Sequence, residues 1–322
     1  MSARTDGGTW ASDRLLTGGR RYPTLLGHQQ RQGIHMRFLS YFIVAVAAMT
    51  LGNLTMWAAL RHAPAAVPIT ALLAVETELA ELAGAGDADR KLLDAMLAVA
   101  RSPDERAEVL RRSCGLQHNL RGPRDAIALC AQALVVARTA DAATHHRTGR
   151  RLARVLAGAG DAAGALALLD SLPRAQDGLE ATLTGWVRAE ALRGLKRAPE
   201  ALESVQRANI ELEGAVHKYP TLREYLAIDD YELGRTLALT DPSADRSAAR
   251  AALNRALVLQ RQLDAQNPEY AEYRLFLTKI LRELSRLPGG DAMAREDAAH
   301  EADELAAELS RRDPQRWEYR GL

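Results

Sequence analysis

Aromatic residues are scarce in this chain: Phe, Trp and Tyr make up only 5% of its 322 residues. A core without many large rings has to be filled by small and aliphatic side chains, and about 60 alanines are available for that. Lysine is scarcer still, at four of the 42 basic residues. Two cysteines cannot build a disulfide scaffold or, alone, a four-ligand zinc site. Neither sign of charge dominates: 42 basic and 41 acidic residues leave a net charge of +1. The strong basic field of a nucleic-acid binder is therefore missing. Alternating runs of β-branched residues are absent after Pro68, which argues against strands. What is abundant is Ala, Leu, Arg and Glu, and this composition predicts a mostly helical chain.

The one long apolar run stands apart from the rest. Phe38 to Leu60 carries no formal charge over 23 residues. As a helix it would reach about 34 Å, enough for a bilayer core of about 30 Å. Tyr41 and Trp57 sit near its ends, where amphipathic rings favour the interface. Arg20, Arg21, Arg31 and Arg37 crowd its N-terminal side, whereas Arg61 stands alone before Glu76 and Glu78 on the other. This asymmetry predicts a single-pass inner-membrane helix with a cytoplasmic N-terminus and a periplasmic C-terminal region. The alternative is a signal peptide starting at Met36 and cleaved near Ala65, within Ala63-Pro64-Ala65. Three regions follow: a tail or over-called start over 1–35, a signal-anchor helix over 36–61, and a helical array over 68–322.

Within the array, apolar residues recur at helical spacing between short breaks. Ala71, Leu72, Val75, Leu79 and Leu82 form one stripe; Leu152, Val155, Leu156 and Ala159 form another, with Arg147, Arg150, Arg151 and Arg154 on other faces. Ser102-Pro103-Asp104-Glu105 has the spacing of a capping box. Breaks are predicted at Gly122-Pro123, Gly158-Ala159-Gly160, Leu195-Lys196, Asp241-Pro242 and Pro288-Gly289-Gly290. About twelve helices, paired as six antiparallel hairpins that each lean mainly on their neighbours, make an all-α solenoid. Pro220-Thr221-Leu222-Arg223-Glu224-Tyr225 recurs as Pro268-Glu269-Tyr270-Ala271-Glu272-Tyr273 and as Pro314-Gln315-Arg316-Trp317-Glu318-Tyr319, at intervals of 48 and 46 residues. A proline one turn ahead of Glu-Tyr suits a repeated helix start. The third copy begins just before Leu322, which predicts an incomplete last hairpin with an exposed apolar edge.

A second pattern resembles the tetratricopeptide repeat. Its small-x3-large-x2-small spacing is carried by Ala126/Cys130/Ala133, Ala165/Leu169/Leu172, Ala201/Val205/Ala208 and Ala249/Leu253/Ala256. Twelve residues before each stand Cys114, Ala153, Ala189 and Gly234. Helices cross closely only where both lack bulk, which is the physical reason for the pattern. The family's early Trp and late Pro are mostly missing, and the later units exceed the usual ~34 residues. Those longer units, ending in Asn267-Pro268 and Asp313-Pro314, look similar to the tails of some bacterial membrane Ser/Thr kinases. The resemblance implies a right-handed solenoid whose first helices line a groove for a partner protein or peptide. It places Arg111, Arg150, Arg154 and Arg193 on the groove side with Trp186 and Tyr231 nearby, an arrangement suited to an acidic partner.

Enzyme signatures are missing. Gly158-Ala159-Gly160-Asp161 has neither a preceding strand nor a following Lys-Ser/Thr, and reads as a turn. His145 and His146 would point about 100° apart on a helix, which predicts a solvated or capping role. Asp229, Asp230 and Glu232 lack calcium-loop spacing and read as an exposed helix face. No catalytic residue, metal site or cofactor is predicted. Cys114 and Cys130 each lie eight residues from Gly122, so an antiparallel turn brings them level. They form a disulfide in an oxidising compartment, or else serve as small buried fillers. The expected function is a non-enzymatic, membrane-anchored scaffold of the tetratricopeptide type, binding a protein on the exported side and not nucleic acid. The alternative is a sensor or regulatory subunit of a kinase-associated transmembrane system.

Overall fold

A computed structural model describes residues 86–240, 246–320 and 322. The apolar run 38–60, the tail 1–35, the cleavage site near Ala65 and the break at Asp241-Pro242 lie outside the described residues. Among those described, no helix is long and apolar enough to cross a membrane.

The described residues are all-helical, without a strand. In chain order the helices are α1 (Gly86–Val99), α2 (Pro103–Arg121), α3 (Pro123–Ala137), α4 (Ala142–Ala159), α5 (Ala162–Ser171), α6 (Gly178–Gly194), α7 (Ala198–Lys218), α8 (Tyr225–Thr240), α9 (Ser247–Gln266), α10 (Ala271–Arg286), α11 (Ala292–Arg312) and α12 (Trp317–Arg320), with a 3-10 turn over Pro220–Glu224.

Local chemistry sets these boundaries. Ahead of α2 the Glu105 amide donates to Ser102 Oγ (3.1 Å), and the Glu105 carboxylate accepts from the Ser102 amide (3.2 Å), closing the capping box. Asp141, Asp161 and Asp177 cap α4, α5 and α6, accepting from Thr144, Gly164 and Glu180 amides at 2.6, 2.9 and 2.8 Å. Gly122 (φ +94°) ends α2 and lets Pro123 open α3 at once.

Each helix packs on the next, and α2, α4, α6, α8 and α10 also touch one another in turn. They therefore form one continuous layer, with α3, α5, α7, α9 and α11 behind it. The crossings are made by small residues. Ala126, Ala133, Ala153, Ala165, Ala189, Ala201, Ala249 and Ala256 have no solvent exposure, and Cys114, Cys130, Val205, Leu253 and Gly234 are buried with them. A Cβ on Gly234 would lie 2.6 Å from Leu253 Cγ, so α8 and α9 meet there only because that atom is missing. Leu172 is part-buried.

A disulfide joins Cys114 of α2 to Cys130 of α3, with Cα atoms 5.0 Å apart across the Gly122 turn. The three Pro…Glu-Tyr copies lead into α8, α10 and α12 and interlock. Tyr273 Oη of the second copy donates to Glu224 of the first (2.8 Å), and Arg316 of the third pairs with Glu272 of the second.

At the end of the described array Met293 of α11 and Trp317 of α12 remain exposed. Tyr319 is buried among Ala271, Leu275 and Leu309, and α12 packs against α2 as well as α11. The chain folds its third motif back onto α2, so the Tyr319 ring is covered.

In α1, Asp89 is 1% exposed beside Leu93 and Met96, and neither carboxylate oxygen has a hydrogen-bond partner among the described residues. Burial raises its pKa from 3.8 to about 6. The folded state therefore binds a proton that the unfolded chain has already released, and stability falls as pH rises from about 4 to beyond 6. Asp89→Asn is expected to add on the order of 2 kcal/mol at pH 7 and nothing below about pH 4, read by thermal melts across that range. The disulfide closes a loop spanning 16 residues. Reduction is expected to cost about 3 kcal/mol, and alkylation without reduction should leave the intact mass unchanged.

Candidate interaction surface

The layer formed by α2, α4, α6, α8 and α10 presents a nearly unbroken set of charges. On α4, Arg147, Arg150, Arg151 and Arg154 stand at i, i+3, i+4 and i+7, which puts them on one face. Like charges at this spacing repel, so each needs an anion supplied from another turn or helix.

Most inward arginines have one. Arg111 is held by Glu108 through two bonds of 2.5 and 2.7 Å, and Glu108 also accepts from Arg112 at 3.0 Å. Arg150 of α4 pairs with Glu180 of α6 at 3.1 Å. Arg193 of α6 reaches Glu232 of α8 at 2.5 Å and Thr236 Oγ1 at 2.9 Å. Arg235 lies 3.6 Å from Glu232 and 3.4 Å from Glu283 of α10. Burial alone would raise the Glu232 pKa, but Arg193 and Arg235 bring it below the usual carboxylate value.

Arg147, Arg151 and Arg154 make no ion pair among the described residues; Arg147 donates to Thr144 Oγ1 at 3.1 Å. The Arg151 guanidinium lies over Gly115 of α2, within 3.4 Å of where a Cβ would stand. Burial, then Arg154, Arg111 and Arg150, lower its pKa to about 9, with Glu318 opposing. Arg154 is exposed, within electrostatic reach of His118, Glu232 and Glu318. Three cations on a crowded basic face are thus without an ion pair among the described residues.

Of the six residues read as groove candidates, the structure brings Arg111, Arg150 and Arg154 together. The other three are engaged elsewhere. Arg193 is spent on Glu232 and Thr236. Trp186, 8% exposed, donates from Nε1 to Asp229 (2.8 Å) and stacks on Tyr225, with ring centroids 6.4 Å apart. Tyr231, 6% exposed, meets Phe276 edge-on and lies beneath Arg235. Both rings belong to the packing between helices, each against a second aromatic ring.

Two further expectations are corrected. Asp229 is buried, accepting from Trp186 and from Asn209 Nδ2 (2.7 Å), and Glu232 lies in the arginine network. The acidic run is therefore not an exposed face: Asp229 is held by neutral donors, Asp230 pairs with Arg255 and Glu232 with Arg193 and Arg235. His146 is 4% exposed and bonded to the Pro173 carbonyl (2.7 Å) and Thr184 Oγ1 (2.8 Å), so it ties α4 to α6 and the loop between them.

Sequence reasoning passed over Arg151, Trp317 and Glu318. The i, i+3, i+4, i+7 spacing of the α4 arginines was a usable signal for Arg151. For Trp317 and Glu318 the signal was only that the third motif alone carries Trp before Glu-Tyr.

Among the described residues no group of three or more His, Cys, Asp or Glu is placed to hold a metal ion. Two shallow open depressions, about 330 and 430 Å³, lie away from the arginine face, one beside Arg250 and Gly290, the other beside His217 and Arg223. No protein-family model matches the chain, and comparison with curated proteins returns no match.

The paired and unpaired arginines respond oppositely to truncation. Arg193→Ala leaves Glu232 with Arg235 alone, at 3.6 Å, and is expected to cost about 1–3 kcal/mol in denaturant unfolding. Arg154→Ala removes an exposed cation with no ion pair and is expected to change stability by less than about 0.5 kcal/mol.

Proposed function

We propose that this chain is a non-enzymatic, membrane-anchored scaffold whose helical array is a right-handed solenoid of the tetratricopeptide type. Its inner layer binds an acidic segment of a partner protein. The single observation that carries this reading is the contrast within the arginine face: Arg111, Arg150, Arg193 and Arg235 have carboxylate partners, whereas Arg147, Arg151 and Arg154 have none among the described residues. A guanidinium carries five donors in a rigid fork suited to a carboxylate. Three of them without a paired anion among the described residues, beside further arginines, favour an incoming one.

The repeating small positions support the solenoid, since every hairpin reuses the same close crossing and cannot bury its apolar side alone. The uncharged run 38–60 with arginines on its N-terminal side supports an anchor in a bacterial inner membrane, with the array in the periplasm. A disulfide-bonded Cys114–Cys130 pair suits that oxidising compartment.

The binding reading is tested with a fluorescent peptide of eight glutamates and the full-length protein. Wild type is expected to bind in a salt-sensitive manner, and Arg151→Ala/Arg154→Ala to weaken binding by about tenfold or more with an unchanged melting temperature. Equal binding by both proteins would refute it. Topology is read from a reporter fused after residue 70: activity of a reporter that works only in the cytoplasm would overturn export.

A further inference from the structure

The terminal turn α12 is attached to the array at two ends that do different work. Tyr319 is the anchor, 2% exposed among Ala271, Leu275 and Leu309, with Arg316 paired to Glu272. Trp317 and Glu318 face the other way, toward α2, α4 and α10. The Trp317 indole lies against Gly122, within about 3 Å of where a Cβ would stand, and 6.2 Å from the His118 ring. Gly122 has no Cβ, and that leaves the shelf on which the indole rests. Glu318 lies 3.8 Å from Lys279 of α10 and 3.0 Å from Arg316, and Arg154 of α4 acts on it as well. Although burial opposes ionisation, Lys279, Arg316 and Arg154 lower its pKa to about 2.

The earlier motif copies explain why this is unusual. Glu224 and Glu272 each bond to the next copy, through Tyr273 and Arg316. Glu318 has no such link among the described residues and takes cations of α10 and α4 in its place. The residues aligned with Trp317 are Arg223 and Ala271, so the indole is not part of the repeat. Trp317 also keeps 41% of its surface exposed, which a core filler in this alanine-rich array does not need.

We infer that Gly122, His118, Arg154 and Lys279 form a recognition site for an aromatic residue followed by a carboxylate, and that α12 is its built-in occupant, displaced when a partner peptide offers the same pair. This rests on the reading of the arginine face as a binding surface and adds to it the ligand's chemistry and a competitor in cis. Covering the site by α12 lowers the apparent affinity of any incoming peptide by the fraction of molecules left open.

The test uses the full-length protein and a labelled synthetic peptide copying residues 314–322. Trp317→Ala/Glu318→Gln empties the site while Tyr319 stays in the core, and a melting curve close to wild type checks that the array is intact. This variant is expected to bind the peptide roughly tenfold or more tightly than wild type. Adding Arg154→Glu should abolish the gain, and so should a peptide with its Trp replaced by Ala. Hydrogen exchange should rise at residues 115–122 in the variant and stay unchanged at 249–256, even without peptide. Equal affinity for wild type and variant, or equal affinity for the peptide lacking Trp, would overturn the inference while leaving the eight-glutamate result standing. Binding of neither peptide by any form would overturn both readings.

Discussion

Close approach of helix backbones at alanine is the constraint on which the rest of this structure depends. Alanine loses no side-chain entropy on burial and leaves two helices free to approach at the short end of the usual interaxial range. A pair crossing at Ala189 and Ala201–Val205, or at Gly234 and Leu253, gains dispersion from backbone and short side chains in place of rings. Each such crossing buries little apolar area. Stability must therefore be collected over many repeats, and an isolated hairpin would be marginal. The Cys114–Cys130 bond stands at the same kind of position, where two small side chains already bring the helices level, so its geometry follows from the repeat.

Thin crossings also determine what covers the layer. Small residues at the contact leave long side chains to roof it, and arginine does this better than lysine. Its stem packs along apolar surface while the planar head holds two acceptors at once. Arg193 on Glu232 and Thr236, and Arg235 shared between Glu232 and Glu283, tie α6, α8 and α10 together in this manner. The scarcity of lysine and the near balance of 42 basic with 41 acidic residues are what a laced layer requires. Local charge can still depart from balance. Around α4 four arginines share one face, and Glu108 and Glu180 answer only Arg111, Arg112 and Arg150.

Features with a period or a fixed local spacing were legible before any coordinates. The helical class, the break at Gly122-Pro123, the capping box at Ser102 and the small positions from Cys114 to Ala256 rest on local chemistry that neighbours do not override. The Asp229 and His146 readings failed for a shared reason. Burial of a polar side chain depends on whether another helix brings a donor to it, here Trp186 and Asn209 for Asp229, and Thr184 for His146. Those partners lie 20 to 43 residues away and leave no mark on the residues' own neighbourhood. Trp186 and Tyr231 were placed on the correct helices, but their depth was set by the crossings behind them.

The return of α12 onto α2 was the least legible feature, since nothing in a repeat pattern says that its last unit will touch its first. Its physical logic becomes clear once the charges are located. The three α4 guanidiniums without an ion pair among the described residues repel one another, and a carboxylate that approaches them relieves that repulsion. Glu318 faces Lys279 at 3.8 Å and Arg316 at 3.0 Å. The exposed Trp317 then comes to rest where Gly122 leaves a flat backbone surface. Even so, one carboxylate set against Arg151, Arg154 and Lys279 does not neutralise them. The closed form therefore retains an attraction for further anions, and a segment carrying several carboxylates holds an electrostatic advantage over the single one that α12 supplies.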